Sequence, residues 1–262
     1  MFCASAAPAQ SPAPRPSPLI PLTNAHAHND YQHKRPLFDA LDRGFCSVEA
    51  DIWLTNGQLL VAHDFWRVKP ERTLQALYLD PLRDRIKKNG GHVYPEGPEI
   101  VLLVEIKNDW KTTYPVLRKT LQDYADQLTS YRSGKKQTGA ITVIITGHRS
   151  KEMLKDELVR IAALDGDLAD LDSGAPAELV PWISANWSQN FKWRGVGPFP
   201  DSEKEKLRSI VTKAHQQGRR VRWWGAPDQI NFWREMRADG VDLINTDDLE
   251  GVRMFLTTAE HG

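Results

Sequence analysis

The sequence predicts an α/β protein with the (β/α)8, TIM-type barrel architecture, in a single domain that spans residues 22–262. From residue 22 onward, eight short apolar runs alternate with longer amphipathic stretches, which is the pattern of repeated βα units. A chain of 262 residues has the length of one such barrel. In addition, paired ionisable residues end consecutive predicted strands, where barrels of this type place their catalytic groups.

The predicted elements follow from hydrophobic periodicity. The eight predicted strands are Leu22–His28, Phe45–Trp53, Ile100–Lys107, Ile141–Thr146, Leu158–Leu164, Leu179–Asn186, Arg220–Trp224 and Asp242–Asn245. The predicted helices with apolar residues at helical spacing are Thr113–Leu128, Ser202–Gln217 and Asp228–Ala238.

The segment after the second strand departs from simple βα alternation. Asn56-Gly57 between apolar runs predicts a two-residue hairpin, so the chain folds back and carries His63 to the same rim. Residues 65–98 then form an insertion with helical character around Arg72–Lys88, which we expect to cover the site.

Composition excludes several classes of protein. Lysine plus arginine equals aspartate plus glutamate at 34 each, and a net charge of zero argues against a nucleic-acid partner, which requires a positive field. No apolar run approaches the roughly 20 residues that span a bilayer, so no transmembrane segment is predicted. Two cysteines, Cys3 and Cys46, provide no disulfide framework. We expect a monomer with a small-molecule partner.

Residues 1–21 are rich in alanine, serine and proline and cannot build a core. They resemble the small-residue end of an export signal followed by a linker, with the apolar region missing. We therefore expect a disordered or signal-derived N-terminal segment on a secreted or periplasmic protein. The alternative is a disordered extension on a cytoplasmic enzyme.

Two carboxylates, Glu49 and Asp51, lie within a run that otherwise reads as a buried strand. Side chains two positions apart on a strand point to the same face, and burying two like charges side by side is costly without a cation between them. A hard divalent ion with oxygen ligands meets that requirement. With His28 before the pair and His63 after it, the sequence predicts metal-assisted acid/base chemistry.

Neighbouring strands supply further pairs at the same spacing. His26 and His28 end the first predicted strand, and Glu105 and Lys107 end the third. Convergence of ionisable residues from three adjacent strands on one rim favours a functional site, because buried charges persist where they are paired or metal-bound.

These residues carry a resemblance to a known superfamily. The stretches His28-Asn-Asp-Tyr, Glu49-Ala-Asp51, Leu60-Val-Ala-His63-Asp64 and Val104-Glu105-Ile-Lys107 resemble the signature of glycerophosphodiester phosphodiesterases and phosphatidylinositol-specific phospholipase C-like enzymes. The resemblance runs from about residue 24 to residue 253. The His-Asn-Asp-Tyr start is also similar to a fungal and bacterial subgroup of that superfamily.

The resemblance implies a role for each matching residue. His28 and His63 match the two catalytic histidines, and Lys107 matches a phosphate-contacting lysine of sphingomyelinase D-type barrels. The implied ligands of one divalent cation, Mg²⁺ or Ca²⁺, are Glu49, Asp51 and Glu105. The implied activity is cleavage of a glycerophosphodiester or a phospholipid headgroup, with transient contact to a membrane surface.

The sequence also departs from the superfamily pattern. His28-Asn-Asp replaces the usual His-Arg-Gly, and the downstream Glu-Asn-Thr, whose glutamate would supply a metal ligand or a glycerol contact, is absent. Asp30 is a candidate replacement for the missing carboxylate. The predicted substrate-binding residues are Lys107, Asn29, Asp30, Asn186 and Trp224.

Several residues have two interpretations. We favour an interior or supporting role for His26, and packing in the barrel for Trp182 and Trp223. Trp187 is equally compatible with packing and with the rim of the site, and His148 is equally compatible with the surface and with that rim.

Two other functions are also compatible with the sequence. The first is an amidohydrolase or polymerase-and-histidinol-phosphatase-type hydrolase that uses the His26-x-His28 pair as metal ligands. The second is a non-catalytic, exported carbohydrate- or lipid-binding barrel with an aromatic rim.

Overall fold

The computed structural model describes residues 19–154 and 156–258. The strands are β1 (Ala25–Ala27), β2 (Ser47–Thr55), β3 (Gln58–Val61), β4 (Ile100–Ile106), β5 (Ser130–Arg132), β6 (Lys135–Gln137), β7 (Ile141–Gly147), β8 (Val159–Arg160), β9 (Ala163–Gly166), β10 (Trp182–Asn186), β11 (Arg220–Trp224) and β12 (Ile244–Thr246). The α-helices are α1 (Phe38–Leu41), α2 (Asp80–Lys88), α3 (Trp110–Gln122), α4 (Trp187–Asn190), α5 (Asp201–Gln216), α6 (Ile230–Ala238) and α7 (Leu249–Thr258). Shorter helical segments are Asp30–Gln32, Phe65–Arg67, Gln75–Leu79, Lys151–Leu154 and Leu168–Asp172.

Eight parallel strands form the barrel, in the hydrogen-bonded order β11-β10-β9-β7-β4-β2-β1-β12. A parallel bridge between Arg222 and Leu243 brings the two ends of this order together. The predicted TIM-type barrel is therefore confirmed. Of the predicted N-terminal segment 1–21, residues 1–18 lie outside the described residues, and Cys3 is among them.

The inner face of β4 explains how the barrel positions the site. Val101, Leu103 and Glu105 alternate with outward residues, so all three share one face. Val101 and Leu103 belong to a buried cluster with Tyr131, Ile144, Ala163, Trp182 and Leu243 that fills the amino-terminal end. The next inward position, Glu105, consequently opens at the carboxyl end of the strand, where barrels of this class build their sites.

The predicted hairpin is present. β2 pairs antiparallel with β3 through Asn56 and Gly57, both at positive φ, and the fold-back places His63 beside Asp51. The predicted insertion does not cover the site as we expected. Tyr78, in its helical part, is fully buried and donates to the backbone carbonyl of Glu49, so this helix supports β2 from outside the barrel. None of the residues that line the cavity beside Glu49 and Glu105 comes from 65–98.

Most predicted elements shift by one to three residues at an end, and two predicted elements differ more from the structure. The helix predicted to reach Leu128 ends at Gln122, and β5 and β6 form a small antiparallel sheet with β8 that no periodicity indicated. The fifth predicted strand is split, because Arg160 pairs with Tyr131 of this sheet and its guanidinium stacks on the Tyr131 ring. Only the later part, Ala163–Gly166, joins the barrel. No helix in the described ranges combines the length and apolar character needed to cross a bilayer.

Candidate active site

The three predicted carboxylates meet at the carboxyl end of the barrel. Asp51 and Glu105 are direct neighbours in the parallel register of β2 and β4, and Glu49 lies one inward position earlier on β2. One oxygen from each of Glu49, Asp51 and Glu105 lies within 4.8 Å of the other two. Such a set has the donor type and spacing that a hard divalent cation requires.

Of the three carboxylates, Asp51 is the one whose ionised form is most destabilised by its surroundings. Its burial, together with the charges of Glu105 and Glu49, raises its pKa to about 7. The Nζ of Lys107 lies 3.1 Å from Asp51 and 3.0 Å from Glu105. One ammonium group cannot neutralise three carboxylates, and Oδ1 of Asp51 is buried without a hydrogen-bond partner.

Glu49 remains ionised in a nearly fully buried position. Although burial alone would raise its pKa, the adjacent His26 and the charge of Arg222 hold that pKa well below its usual range. The backbone N–H of Asn29 donates to Oε2 of Glu49 over 3.3 Å. Asn29 has φ near 49°, in the left-handed region that asparagine tolerates better than most residues, and this conformation turns its N–H toward the carboxylate.

The ring of His28 is held by a carboxylate from the opposite end of the chain. Nδ1 lies 3.0 Å from Oδ1 of Asp247, which follows β12, and Nε2 lies 3.9 Å from Glu49. Burial lowers the pKa of His28, but the hydrogen bond that the ring donates to Asp247 and the charges of Glu49 and Asp247 outweigh it and raise that pKa. A partner carboxylate of this kind fixes both the tautomer and the orientation of an imidazole.

His63 is oriented by two acceptors. Its Nδ1 lies 3.2 Å from Oδ2 of Asp51 and 3.1 Å from the phenol oxygen of Tyr31. The Tyr31 hydroxyl donates to Asp51, and burial followed by the Asp51 charge raises the pKa of Tyr31 and keeps the phenol protonated. Nδ1 of His63 therefore carries the proton, and Nε2 has no partner among the described residues.

Sequence reasoning did not identify Tyr31 or Arg222. Tyr31 is 3% exposed and joins Asp51 to His63, and its only sequence signal was its place in the His28-Asn-Asp-Tyr stretch. Arg222 is buried on β11, and its guanidinium donates to Ser184, Asn245 and Asp165. These partners come from β9, β10 and β12, and nothing in the sequence indicated them.

His26 is an interior histidine. Its Nδ1 lies 2.6 Å from Oγ of Ser47, and its Nε2 accepts from Arg222 over 3.1 Å. Burial lowers the pKa of His26 to about 4, so the ring is neutral near pH 7. Both ring nitrogens are engaged, which leaves no lone pair for the His26-x-His28 metal pair of the amidohydrolase alternative.

A cavity of about 780 Å³ opens over the carboxylates. Of the predicted site residues, those that line it are His28, Asn29, Glu49, His63, Glu105, Lys107, Asn186 and Trp224. Asn186 also caps α4, since its Oδ1 accepts from the backbone N–H of Gln189. Trp187 is fully buried in an aromatic cluster with Phe191 and Trp223, and His148 is exposed and does not line the cavity.

The prediction that Asp30 binds substrate is wrong. Its side chain is fully buried, accepting from the backbone N–H of Leu37 over 2.5 Å and from the hydroxyl of Tyr78 over 2.8 Å. The left-handed turn at Asn29 directs the following residue inward, beneath the loop that carries His28. Asp30 therefore stabilises the loop and does not reach the cavity.

With this geometry in place, comparison with known proteins identifies the family. A family model described as the AIM6-like phosphodiesterase domain matches residues 18–162, which include all three carboxylates, both histidines and Lys107. The chain belongs to the AIM6-like phosphodiesterase family.

Curated members of this family resemble the chain over most of its length. The altered inheritance of mitochondria protein 6 homolog of Arthroderma benhamiae is 29% identical, covering 90% of this chain and 84% of that protein. Altered inheritance of mitochondria protein 6 of Eremothecium gossypii is 30% identical over 89% of this chain and 69% of its own length. The protein of the same name from Saccharomyces cerevisiae strain RM11-1a is 31% identical, with shares of 86% and 68%.

Solved structures show that the AIM6-like chain shares its fold with glycerophosphodiester phosphodiesterases. The enzyme of Agrobacterium tumefaciens aligns with a TM-score of 0.52 at 15% identity, over 90% of this chain and 100% of that one. The enzyme of Parabacteroides distasonis aligns with a TM-score of 0.50 at 14% identity, over 92% and 97%. At these identities the comparison supports the barrel architecture only.

Proposed function

We propose that this AIM6-like protein cleaves phosphodiesters with the help of one divalent cation and two histidines. The observation that carries the proposal is the meeting of Glu49, Asp51 and Glu105 within 4.8 Å, beside two imidazoles whose Nδ1 atoms are held by carboxylates. Both imidazoles line one cavity together with two of these carboxylates, Glu49 and Glu105. The substrate that we propose is a glycerophosphodiester or the phosphodiester of a phospholipid headgroup.

The residues present fit a hard cation. Asp51 carries a buried oxygen without a partner, and its raised pKa reflects repulsion from Glu49 and Glu105 that a cation would relieve. These three carboxylates would hold Mg²⁺ or Ca²⁺, whose charge would offset that of the phosphodiester and of the developing alkoxide.

The two histidines are suited to different halves of the proton transfer. Asp247 lies outside the carboxylate cluster, so it still raises the pKa of His28 when a cation is bound. His28 therefore acts as the acid that delivers a proton to the leaving alkoxide. His63 donates through Nδ1 and presents Nε2 as a base that removes a proton from the nucleophile. Tyr31 and Asp51 keep the ring of His63 in that tautomer.

Other cavity residues act on the substrate by position and charge. Lys107 offers an ammonium group beside the carboxylates, where it would contact a non-bridging phosphate oxygen. Asn186 and the half-exposed ring of Trp224 line the cavity on β10 and β11, across the barrel from β2. We propose that they contact the uncharged part of the alcohol.

The experiment is a turnover assay of the full chain on bis-p-nitrophenyl phosphate, glycerophosphodiesters and inositol phospholipids, with Mg²⁺, Ca²⁺ or EDTA. His63→Ala and Asp51→Asn should each lower kcat by at least about 100-fold. Glu205→Gln, an exposed carboxylate on α5, is the matched control and should leave the rate unchanged. Turnover that persists in EDTA, or in His63→Ala, would refute the proposal.

Metal binding can be measured without turnover. In wild-type protein, Mg²⁺ or Ca²⁺ at about 100 times its Kd should raise the free energy of unfolding by about 2.7 kcal/mol. Asp51→Asn should lose this stabilisation while Glu205→Gln keeps it. Equal stabilisation of both variants would place the cation elsewhere.

A further inference from the structure

Arg149 differs from the other lysine and arginine side chains that line the active-site cavity, which are Lys107 and Arg222. Lys107 lies within 3.1 Å of Asp51, and Nη2 of Arg222 lies 3.3 Å from Asp165. In the described part of the chain, no carboxylate oxygen lies within 4.0 Å of the Arg149 guanidinium. The positive charge of Arg149 is therefore not neutralised by a direct ion pair.

The Arg149 side chain is nevertheless held in place. Its Nε donates to the backbone carbonyl of Asp165, and its Nη1 lies 3.3 Å from the backbone carbonyl of Gly147. Both partners are neutral main-chain groups, and Nη2 has no partner among the described residues. An arginine anchored on one edge presents its remaining N–H groups in a fixed orientation, which favours binding of an anion.

One acidic side chain in the cavity, Asp167, takes part in a local helix cap and makes no ion pair with Arg149 among the described residues. Its Oδ1 accepts from the backbone N–H of Ala169, so it caps the short helical segment that follows β9. The remaining cavity carboxylates belong to the proposed cation site or to the ion pair of Asp165 with Arg222.

The position of Arg149 separates it from the reacting phosphate. Its anchors lie at the ends of β7 and β9, whereas the carboxylate cluster lies on β2 and β4, and these strands are consecutive in the order β9-β7-β4-β2. Neighbouring strands are about 4.8 Å apart, so Arg149 lies on the order of 10 Å from the centre of the cluster. That distance corresponds to a substituent several bonds away from the phosphodiester.

We propose that Arg149 binds a second anionic group, a phosphomonoester or a carboxylate, that the alcohol of the substrate carries. This inference rests on the proposed function, because it names the substrate class of the same site. Arg149 then determines specificity: phosphodiesters with an additional negative charge on the alcohol are preferred over otherwise matched ones.

The test compares substrates that differ by one anionic group. Glycerophosphoserine against glycerophosphoethanolamine tests a carboxylate, and glycerophosphoinositol 4-phosphate against glycerophosphoinositol tests a phosphomonoester. The variants are Arg149→Gln, which keeps an N–H donor without the charge, and Arg149→Lys, which keeps the charge. Arg132→Met, an exposed arginine on β5, is the control.

For at least one pair, Arg149→Gln should lower kcat/KM for the more anionic substrate by about 10-fold to 100-fold, mainly through KM. It should leave the less anionic partner within about two-fold. Arg149→Lys should restore most of the preference, and Arg132→Met should retain all of it. An equal loss on both members of each pair indicates a purely structural arginine and overturns the proposal, as does an unchanged preference.

A second measurement separates this inference from the proposed function. In EDTA the carboxylate cluster repels anions, so the rise in the Tm of wild-type protein with inorganic phosphate should depend mainly on Arg149, and Arg149→Gln should lose most of this shift. If no phosphodiester is turned over, a phosphate shift that depends on Arg149 supports the anion site while the proposed function fails. Equal shifts in wild type and Arg149→Gln overturn the anion site.

Discussion

Nδ1 of His28 lies 3.0 Å from Oδ1 of Asp247, although the two residues are 219 positions apart in the chain. The contact joins the loop after β1 to the loop after β12, and β1 and β12 are neighbours in the barrel. The pKa of His28 is raised, while the contact with His28 lowers that of Asp247 against the effect of burial. Asp247 thus favours the imidazolium form of His28, and His28 favours the carboxylate form of Asp247.

Replacing Asp247 by Asn should lower the pKa of His28 and reduce kcat by about 10-fold at pH 7.5. A raised imidazole pKa extends the protonated form to higher pH. Without Asp247, the limb of the pH–rate profile that requires protonated His28 should therefore move to lower pH. The measurement is kcat against pH for wild type, Asp247→Asn and Glu205→Gln, and an unmoved alkaline limb in Asp247→Asn would contradict the assignment of His28 as the acid.

Gly147, at the end of β7, should be required for the placement of Glu105. Its φ is near 74°, and an added Cβ would lie 2.6 Å from Cγ of Glu105 and 2.5 Å from the carbonyl oxygen of Ile106. Gly147→Ala should therefore lower the free energy of unfolding by roughly 1–3 kcal/mol and weaken Mg²⁺ or Ca²⁺ binding.

Gly134 provides a matched control for Gly147. It has φ near 73°, but an added Cβ would meet nothing within 4 Å. Gly134→Ala should show the backbone penalty alone, measured by urea unfolding, with cation affinity unchanged. Similar losses of cation affinity in both variants would show that crowding at Glu105 is unimportant.

Strand periodicity explains why much of the site could be predicted. Because side chains alternate along a strand, Glu49 had to share a face with Asp51, and Glu105 had to share a face with Lys107. Parallel strands then had to bring these faces to one rim. The Asn56-Gly57 turn likewise required the fold-back that carries His63 to Asp51.

Contacts that depend on loop conformation could not be predicted in this way. Asp30 follows Asn29, whose backbone is left-handed. The conformation of this single residue determines whether the Asp30 side chain points into the cavity or into the core. His148 and Arg149 are adjacent, and the sequence raised only His148 as a candidate for the rim. In the structure, after Gly147 with its positive φ, His148 is exposed and Arg149 lines the cavity. The split of the fifth predicted strand depended on a partner, Tyr131, about thirty positions away.

The turn after His63 should bind a phospholipid surface. Trp66 is 79% exposed and Phe65 is 53% exposed, and basic Arg67 and Lys69 follow them. We propose that this aromatic and basic turn docks on anionic headgroups at the mouth of the site, because aromatic rings partition into the interface and basic groups pair with anionic lipids.

Phe65→Ser combined with Trp66→Ser should weaken binding to phosphatidylserine-containing vesicles by about 10-fold, as measured by co-sedimentation. Turnover of bis-p-nitrophenyl phosphate should change by less than about two-fold, because neither side chain lines the cavity. Leu158→Ser, which removes an exposed leucine just before β8, is the control and should bind vesicles like wild type. Undiminished binding of the double variant would rule out this surface.

Asp30 should make the protein less stable as the pH rises. Burial raises the pKa of Asp30 from 3.8 to about 7 in the folded state. Between those values the folded chain holds a proton that the unfolded chain has lost, so the free energy of unfolding falls as pH increases through this window and is level above it. Asp30→Asn mimics the protonated form, keeping an oxygen to accept from Leu37 and Tyr78.

Relative to wild type, Asp30→Asn should gain stability by about 2–4 kcal/mol between pH 4 and pH 8. The measurement is urea unfolding in EDTA at several pH values, so that the state of Asp51 is the same in both proteins. Asp126→Asn, at an exposed carboxylate, should give a difference from wild type that does not depend on pH. If the Asp30→Asn difference were equally flat, Asp30 would be ionised when buried, and the loop that carries His28 would be held by a charge instead of a neutral acid.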